Sequence, residues 1–262
     1  MSIITGPRRI IYPETDGKPM AENTLQFRWI VTIKEGLDRT YHDRADVFVA
    51  GDLFWYPVEG HPEIVQAPDT LVAFGRPKGD RGSYKQWEEG GIAPQVVFEV
   101  LSPGNRPPEM IGKFKFYEKY GVQEYYIYDP DEVELTGFQR TEGELKAIPN
   151  MNGWTSPRLG IRFDLSGSEL TIYGPDGRRF LTYQELAEER DRLAGERDQL
   201  AQEHHQLAQE HHRLAGERDQ LAQQLEAERQ RNERMVAQLK ALGLEPPGEA
   251  DRGRGPIIPP AP

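Results

Sequence analysis

The sequence predicts a mixed α/β sheet flanked by helices, followed by a long coiled-coil helix. Three observations lead there. Amphipathic and β-rich segments interleave over residues 1–180, in the order helix, strands, helix, strand and hairpins. The run Val96-Val97-Phe98-Glu99-Val100-Leu101 is nearly continuous in apolar residues, as expected of a strand buried on both faces. All 4 Trp, 10 Phe and 11 Tyr lie at or before Tyr183. Beyond it Leu186, Leu193, Leu200, Leu207, Leu214 and Leu221 recur every seven residues, each followed by Ala. That period keeps one seam facing a partner.

Residues 20–37 read as the first helix, because Trp29, Ile30, Ile33 and Leu37 fall at helical spacing. Glu22 lies seven and eleven residues before Trp29 and Ile33, so the same periodicity puts it on their face. Residues 45–50 and 53–58 are β-rich, with Gly51-Asp52 between them as a turn signal. Residues 69–74 form a third strand. Residues 75–91 are polar and glycine-rich, the composition of an exposed loop. Residues 96–101 are the central strand, broken by Ser102-Pro103-Gly104-Asn105. Residues 110–120 form a short helix ended by Gly121, a residue type suited to a left-handed C-cap. Residues 124–128 are the next strand, and 134–139, 145–148, 159–164 and 169–173 are further β segments.

The chain therefore divides into a globular domain over 1–180, a coiled coil over 181–244 and a Pro/Gly-rich tail over 245–262 whose composition is that of disordered segments. With Leu at heptad position d, the a positions are Arg190, Arg197, His204, His211, Arg218, Leu225, Asn232 and Leu239. Met235 and Leu242 fall at d. The seam is half apolar at first and better at its end. It predicts a homodimer or higher oligomer through residues 186–242.

Net charge is −11, and residues 1–180 hold 21 Lys+Arg against 27 Asp+Glu. That is awkward for a nucleic-acid enzyme, since phosphate contact usually shows as a basic face; it leaves room for a local basic groove but argues against tight non-specific binding without metal ions or a dimer. No apolar run approaches the ~20 residues of a membrane span. Cysteine is absent, so disulfides and thiolate metal sites are excluded. Residues 1–13 lack the apolar core of a signal peptide, and a cytoplasmic location is the expectation.

The chemistry concentrates in residues 68–113. Asp69 opens one apolar strand and Glu99 sits inside the next. Two carboxylates in otherwise buried strands are costly unless something neutralises them. Hard divalent ions such as Mg²⁺ or Mn²⁺ prefer such oxygens, and the backbone carbonyl of Val100 offers a third ligand. Met110, Lys113, Phe114 and Tyr117 share one helical face, so Lys113 points inward while Lys115 points away. Two strand acids and a nearby lysine are the equipment of a metal-dependent phosphodiesterase. Each residue also has an ordinary reading: Pro68-Asp69 as a turn, Glu99 as half of an ion pair, Lys113 as a snorkelling side chain.

Taken as an ordered set, Pro68-Asp69, Phe98-Glu99-Val100-Leu101-Ser102-Pro103, Lys113-x-x-x-Tyr117-x-x-x-Gly121-Val122 and Glu124-Tyr125-Tyr126-Ile127-Tyr128-Asp129-Pro130 resemble the Uma-two family of bacterial restriction-endonuclease-like proteins, within the PD-(D/E)XK nuclease superfamily. The resemblance spans most of residues 10–180. It implies a restriction-endonuclease-like fold and Mg²⁺- or Mn²⁺-dependent hydrolysis of DNA. It also implies that Asp69 and Glu99 are the metal-binding acids, that Lys113 is the lysine of the following helix, and that Glu22 is the additional acid of the first helix. One departure stands out. The superfamily motif ends Glu-x-Lys, whereas Glu99-Val100 is followed by Leu101.

The alternative is a catalytically silent nuclease fold that acts as an adaptor through its coiled coil. Two further features read as ordinary structure: Asp52 as a turn residue, and the His204-His205 and His211-His212 pairs as solvated or seam positions. Arg76, Lys78, Arg81 and Lys85, with Tyr84 and Trp87 among them, form a basic-aromatic loop that suits either an ordinary solvated loop or a track for a phosphate backbone.

Overall fold

A computed structural model describes residues 10–243, except Asp16, Lys18, Met20 and Arg106. The Pro/Gly-rich tail of 245–262 lies outside the described residues. The first helix, α1, is Thr24–Thr40. It starts later than its apolar periodicity suggests because the Asn23 side chain accepts the backbone N–H of Gln26 at 2.8 Å, the bond that satisfies a free helix-start donor. Glu22 therefore precedes the helix, a correction to its expected place on the helical face. Trp29, Ile30, Ile33 and Leu37 are all buried. Each contributes about 1.5–3 kcal/mol by leaving water.

The main sheet has six strands: β1 (Val47–Gly51), β3 (Thr70–Phe74), β5 (Val96–Val100), β6 (Glu124–Asp129), β7 (Glu134–Thr141) and β8 (Glu144–Ala147). They lie in the order β1-β3-β5-β6-β7-β8. Only β5 and β6 pair in parallel, and α2 (Pro107–Lys119) makes their crossover. The remaining neighbours are antiparallel. β5 is buried at every position, as its unbroken apolar run requires.

Alternation along the strands divides the interior into two cores. Val47, Val49, Val72, Val96, Phe98 and Val100 face α1 and pack with Trp29, Ile30, Ile33 and Leu37. Phe48, Leu71, Ala73, Val97 and Tyr125 face the other way and pack with Tyr117 of α2. The sheet is thus covered by a helix on each face. β9 (Arg162–Asp164) and β10 (Thr171–Tyr173) form a small antiparallel sheet whose Phe163 and Ile172 extend the α1-side core.

Residues 53–58 narrow to a two-residue strand, β2 (Trp55–Tyr56), which pairs in parallel with β4 (Tyr84–Lys85). The segment 75–91 is consequently not a plain exposed loop. Tyr84 is fully buried. Glu89 is buried between Arg76 (2.8 Å) and Arg81 (2.5 Å).

The chain separates into two compact units at Glu189/Arg190. The long helix α3 is Tyr183–Ala241, and it buries none of its residues. No helix among the described residues is long and apolar enough to cross a membrane.

Candidate active site

The ladder of the main sheet brings three acids onto one rung. Gly51 pairs with Thr70 and Thr70 with Phe98. One step further along these antiparallel strands lie Asp52, Asp69 and Glu99. The backbone confirms the step on one side, where the Asp52 N–H donates to the Asp69 carbonyl at 3.3 Å. Side chains two apart share a face of a sheet. Residues 48, 71, 73 and 97 face α2, so the rung of Asp52, Asp69 and Glu99 does too.

Asp69 and Glu99 are 8% and 2% exposed. Asp69 Oδ2 accepts the backbone N–H of Val100 at 2.6 Å. Burial pushes the Asp69 carboxyl well above the usual carboxylate range, and the negative charge of Glu99 pushes it further. The Val100 N–H and Lys113 pull the other way, and Asp52 adds to the upward shift. Asp69 thus sits where an added cation would be welcome.

Glu99 is held from α2. Lys113 Nζ lies 2.8 Å from Glu99 Oε2, and the Tyr117 hydroxyl donates to Oε1 at 2.5 Å. Lysine and tyrosine four residues apart share one face of a helix, which is why both reach the same carboxylate. Lys115 is exposed. Burial works against the Lys113 ammonium, but the charge and hydrogen bond of Glu99 outweigh it and raise its pKa. Lys113 is therefore a fixed cation at neutral pH and is not poised as a proton acceptor.

These residues meet an open cleft of about 480 Å³ whose lining includes Glu22, Gln26, Asp52, Asp69, Glu109 and Lys113. Glu22 reaches it from the segment before α1, and its Oε2 accepts the Ser102 hydroxyl at 2.6 Å. The Val100 carbonyl accepts the Gln26 side-chain amide at 2.8 Å, so the oxygen expected as a third metal ligand already serves to pin α1 to β5. Asp52 is the turn residue the sequence suggests, with φ 46° just past the end of β1, and it also lines the cleft. Its strand parity with Phe48 and Ala50 was the signal that could have found it. Tyr117 was legible only as a packing residue.

The donor set suits a hard divalent cation. Five carboxylates, those of Glu14, Glu22, Asp52, Asp69 and Glu109, and the Lys113 ammonium line the cleft, with Glu99 buried behind them. Glu99 accepts two bonds, while a carboxylate offers about four lone-pair sites. The hydroxyl of Tyr125 is buried without a partner, and it feels the charges of both Glu99 and Asp69. Among the described residues no three acids or histidines converge as a ready ligand cage. Mg²⁺ commonly takes only one or two carboxylates and keeps its waters.

The basic-aromatic loop is a different matter. The guanidinium of Arg81 stacks over Phe48 at 3.9 Å, and Arg76 and Arg81 are spent on Glu89. Burial disfavours the Glu89 anion, yet the hydrogen bonds from both arginines hold its pKa below the ordinary value. These two cations staple the fold and do not present a track for phosphate.

Residues 17–172 match the model of the Uma2 family, described as "putative restriction endonuclease". Among solved structures, the chain is similar to a "putative nuclease belonging to DUF820" from Anabaena variabilis ATCC 29413, at 15% identity and a TM-score of 0.37, over 55% of this chain and 79% of the other. No curated protein matches the chain.

Proposed function

Because this chain belongs to the Uma2 family, we propose that it is a divalent-metal-dependent endonuclease that hydrolyses DNA phosphodiester bonds. The observation that carries this reading is the continuation of the β1-β3-β5 ladder into Asp52, Asp69 and Glu99, with Asp52, Asp69 and Lys113 lining one cleft and Glu99 bonded to Lys113 behind them. A buried carboxylate with a raised pKa next to a second carboxylate is costly to keep for structure alone. A bound cation relieves it.

Asp69 and Glu99 would hold Mg²⁺ or Mn²⁺, with Asp52 and Glu22 at hand from the cleft lining. Such an ion polarises the phosphate and lowers the pKa of water. Lys113, kept protonated by Glu99, contributes positive charge toward the phosphate in the transition state. Tyr117 fixes the Glu99 carboxylate so that little reorganisation is left to the reaction step. The missing lysine two residues after Glu99 is supplied in charge by Lys113 from α2.

The rival reading, a catalytically silent adaptor, draws on one observation: Lys113 and Tyr117 already satisfy both Glu99 oxygens. Cleavage of plasmid DNA, single-stranded DNA and RNA with Mg²⁺ or Mn²⁺, alongside Asp69→Ala and Glu99→Ala, separates the two. The nuclease reading expects metal-dependent DNA cleavage lost in both variants. Absence of cleavage together with absence of divalent-ion binding by calorimetry would leave the adaptor.

A further inference from the structure

We propose that α3 is one strand of a parallel, in-register two-stranded coiled coil, and that a second copy of this chain covers its seam over residues 186–242. Among the described residues the leucines of the seam lie exposed. Leu200, Leu207 and Leu221 are 69%, 66% and 65% exposed, although the six leucines from 186 to 221 keep strict heptad phase along one helix. The neighbouring e row is Ala187, Ala194, Ala201, Ala208, Ala215 and Ala222, small enough for a second helix to approach closely.

Charge chooses the orientation. The g positions are Glu189, Glu196, Glu203, Glu210 and Glu217, and each immediately precedes a cationic or histidine a residue: Arg190, Arg197, His204, His211 and Arg218. In a parallel pair each a residue faces its own copy, which sets arginine beside arginine, and the g row of one helix flanks the a row of the other, so the partner's glutamates neutralise those layers. In an antiparallel pair g faces g, and glutamates meet glutamates. The e row is alanine and offers these glutamates no alternative partner. Arginine at a can lay its stem along the leucines and carry its head out to the partner's glutamate. Within one chain the same groups make exposed pairs such as Arg197–Asp198 and Arg192–Glu196, which are weak and easily exchanged.

Asn232 sets the register. It is the one asparagine in the a row, between Leu225 and Leu239, and the d positions on either side of it are Glu228 and Met235. A lone asparagine at a finds its hydrogen-bond partner only when two parallel helices align it with its own copy, and it selects the two-stranded state at some cost in stability.

The absence of cysteine makes a clean test possible. Full-length Leu193→Cys and Met235→Cys place single thiols about 63 Å apart along the helix. Sedimentation equilibrium should give a dimer, and a short bismaleimide should link each variant to itself. A monomer, a higher oligomer, or linkage only in a mixture of the two variants would overturn the proposal. Glu196→Arg/Glu203→Arg should weaken association about tenfold, and adding Arg197→Glu/His204→Glu should restore it. Unchanged affinity in the first variant would overturn the charge argument.

Discussion

Replacing Asp69 with asparagine is expected to raise the stability of the N-terminal domain at neutral pH while abolishing cleavage. Asp69 is 8% exposed, holds one backbone hydrogen bond from Val100, and faces the charge of Glu99. Asparagine keeps an acceptor for the Val100 N–H and removes the charge. Relief of an incompletely compensated buried group is about 1–2 kcal/mol, which for a domain of this size raises Tm by about 2–8 °C. Tryptophan fluorescence is the assay, because Trp29, Trp55, Trp87 and Trp154 all lie in the unit Met1–Glu189. The sign with pH follows from the raised carboxyl pKa. Below about pH 4 both folded and unfolded states carry the proton and the penalty on the wild type is absent. As pH rises through the interval between the unfolded and folded values, the unfolded state ionises first and the wild type loses stability relative to Asp69→Asn. Mg²⁺ at ten times Kd should stabilise the wild type by roughly 1.4 kcal/mol and the variant much less, closing most of the gap. An Asp69→Asn protein that melts lower than wild type at pH 7, or a difference that is the same at pH 4, would show that the Asp69 carboxylate carries no burial penalty in the fold.

Other expected outcomes test the remaining contacts. Lys113→Met strands the buried Glu99 carboxylate and should cost about 3 kcal/mol, seen as a Tm loss of about 6–12 °C in the same fluorescence melt, with cleavage lost as well; Lys113→Arg should recover most of the stability. Glu22→Gln should slow plasmid cleavage while moving stability by less than about 0.5 kcal/mol, because Glu22 is exposed and its carboxylate accepts from Ser102 on the cleft rim; a large Tm change would reassign it to structure. Arg81→Ala should destabilise by about 1–3 kcal/mol through Glu89 and leave the salt dependence of DNA binding unchanged, measured by fluorescence anisotropy. A reduced salt slope would return that loop to the nucleic-acid interface.

Much of the scaffold was legible in the residues themselves. The unbroken apolar run of β5 declared a central strand, the spacing of Trp29, Ile30, Ile33 and Leu37 declared α1, and Met110-Lys113-Tyr117 declared which face of α2 turns inward. What was not legible depended on partners distant in sequence. β2 and β4 are two residues each, and only their mutual pairing makes them strands. The segment 75–91 reads as solvated because its charges are many, yet Arg76, Arg81 and Glu89 cancel one another in place. Apolar spacing carried the first helix back through Glu22, whereas Asn23 is the residue type that starts a helix and does so here. Asp52 was masked by Gly51-Asp52, a turn signal that conceals the end of a strand in register with Asp69. Except at Asn23, where a local cap decides the boundary, a cross-strand or cross-element contact set the outcome.

The central claim is that the carboxylates continuing the β1-β3-β5 ladder hold a cation for phosphodiester hydrolysis. Conversion of supercoiled plasmid to nicked and linear forms, followed over time with Mg²⁺, with Mn²⁺ and with EDTA, tests it most directly in wild type and Asp69→Asn. The account predicts conversion by the wild type that stops with EDTA and falls by at least about 100-fold in Asp69→Asn, despite the higher melting temperature of that variant. Conversion that persists in EDTA, or equal rates in the two proteins, would contradict it.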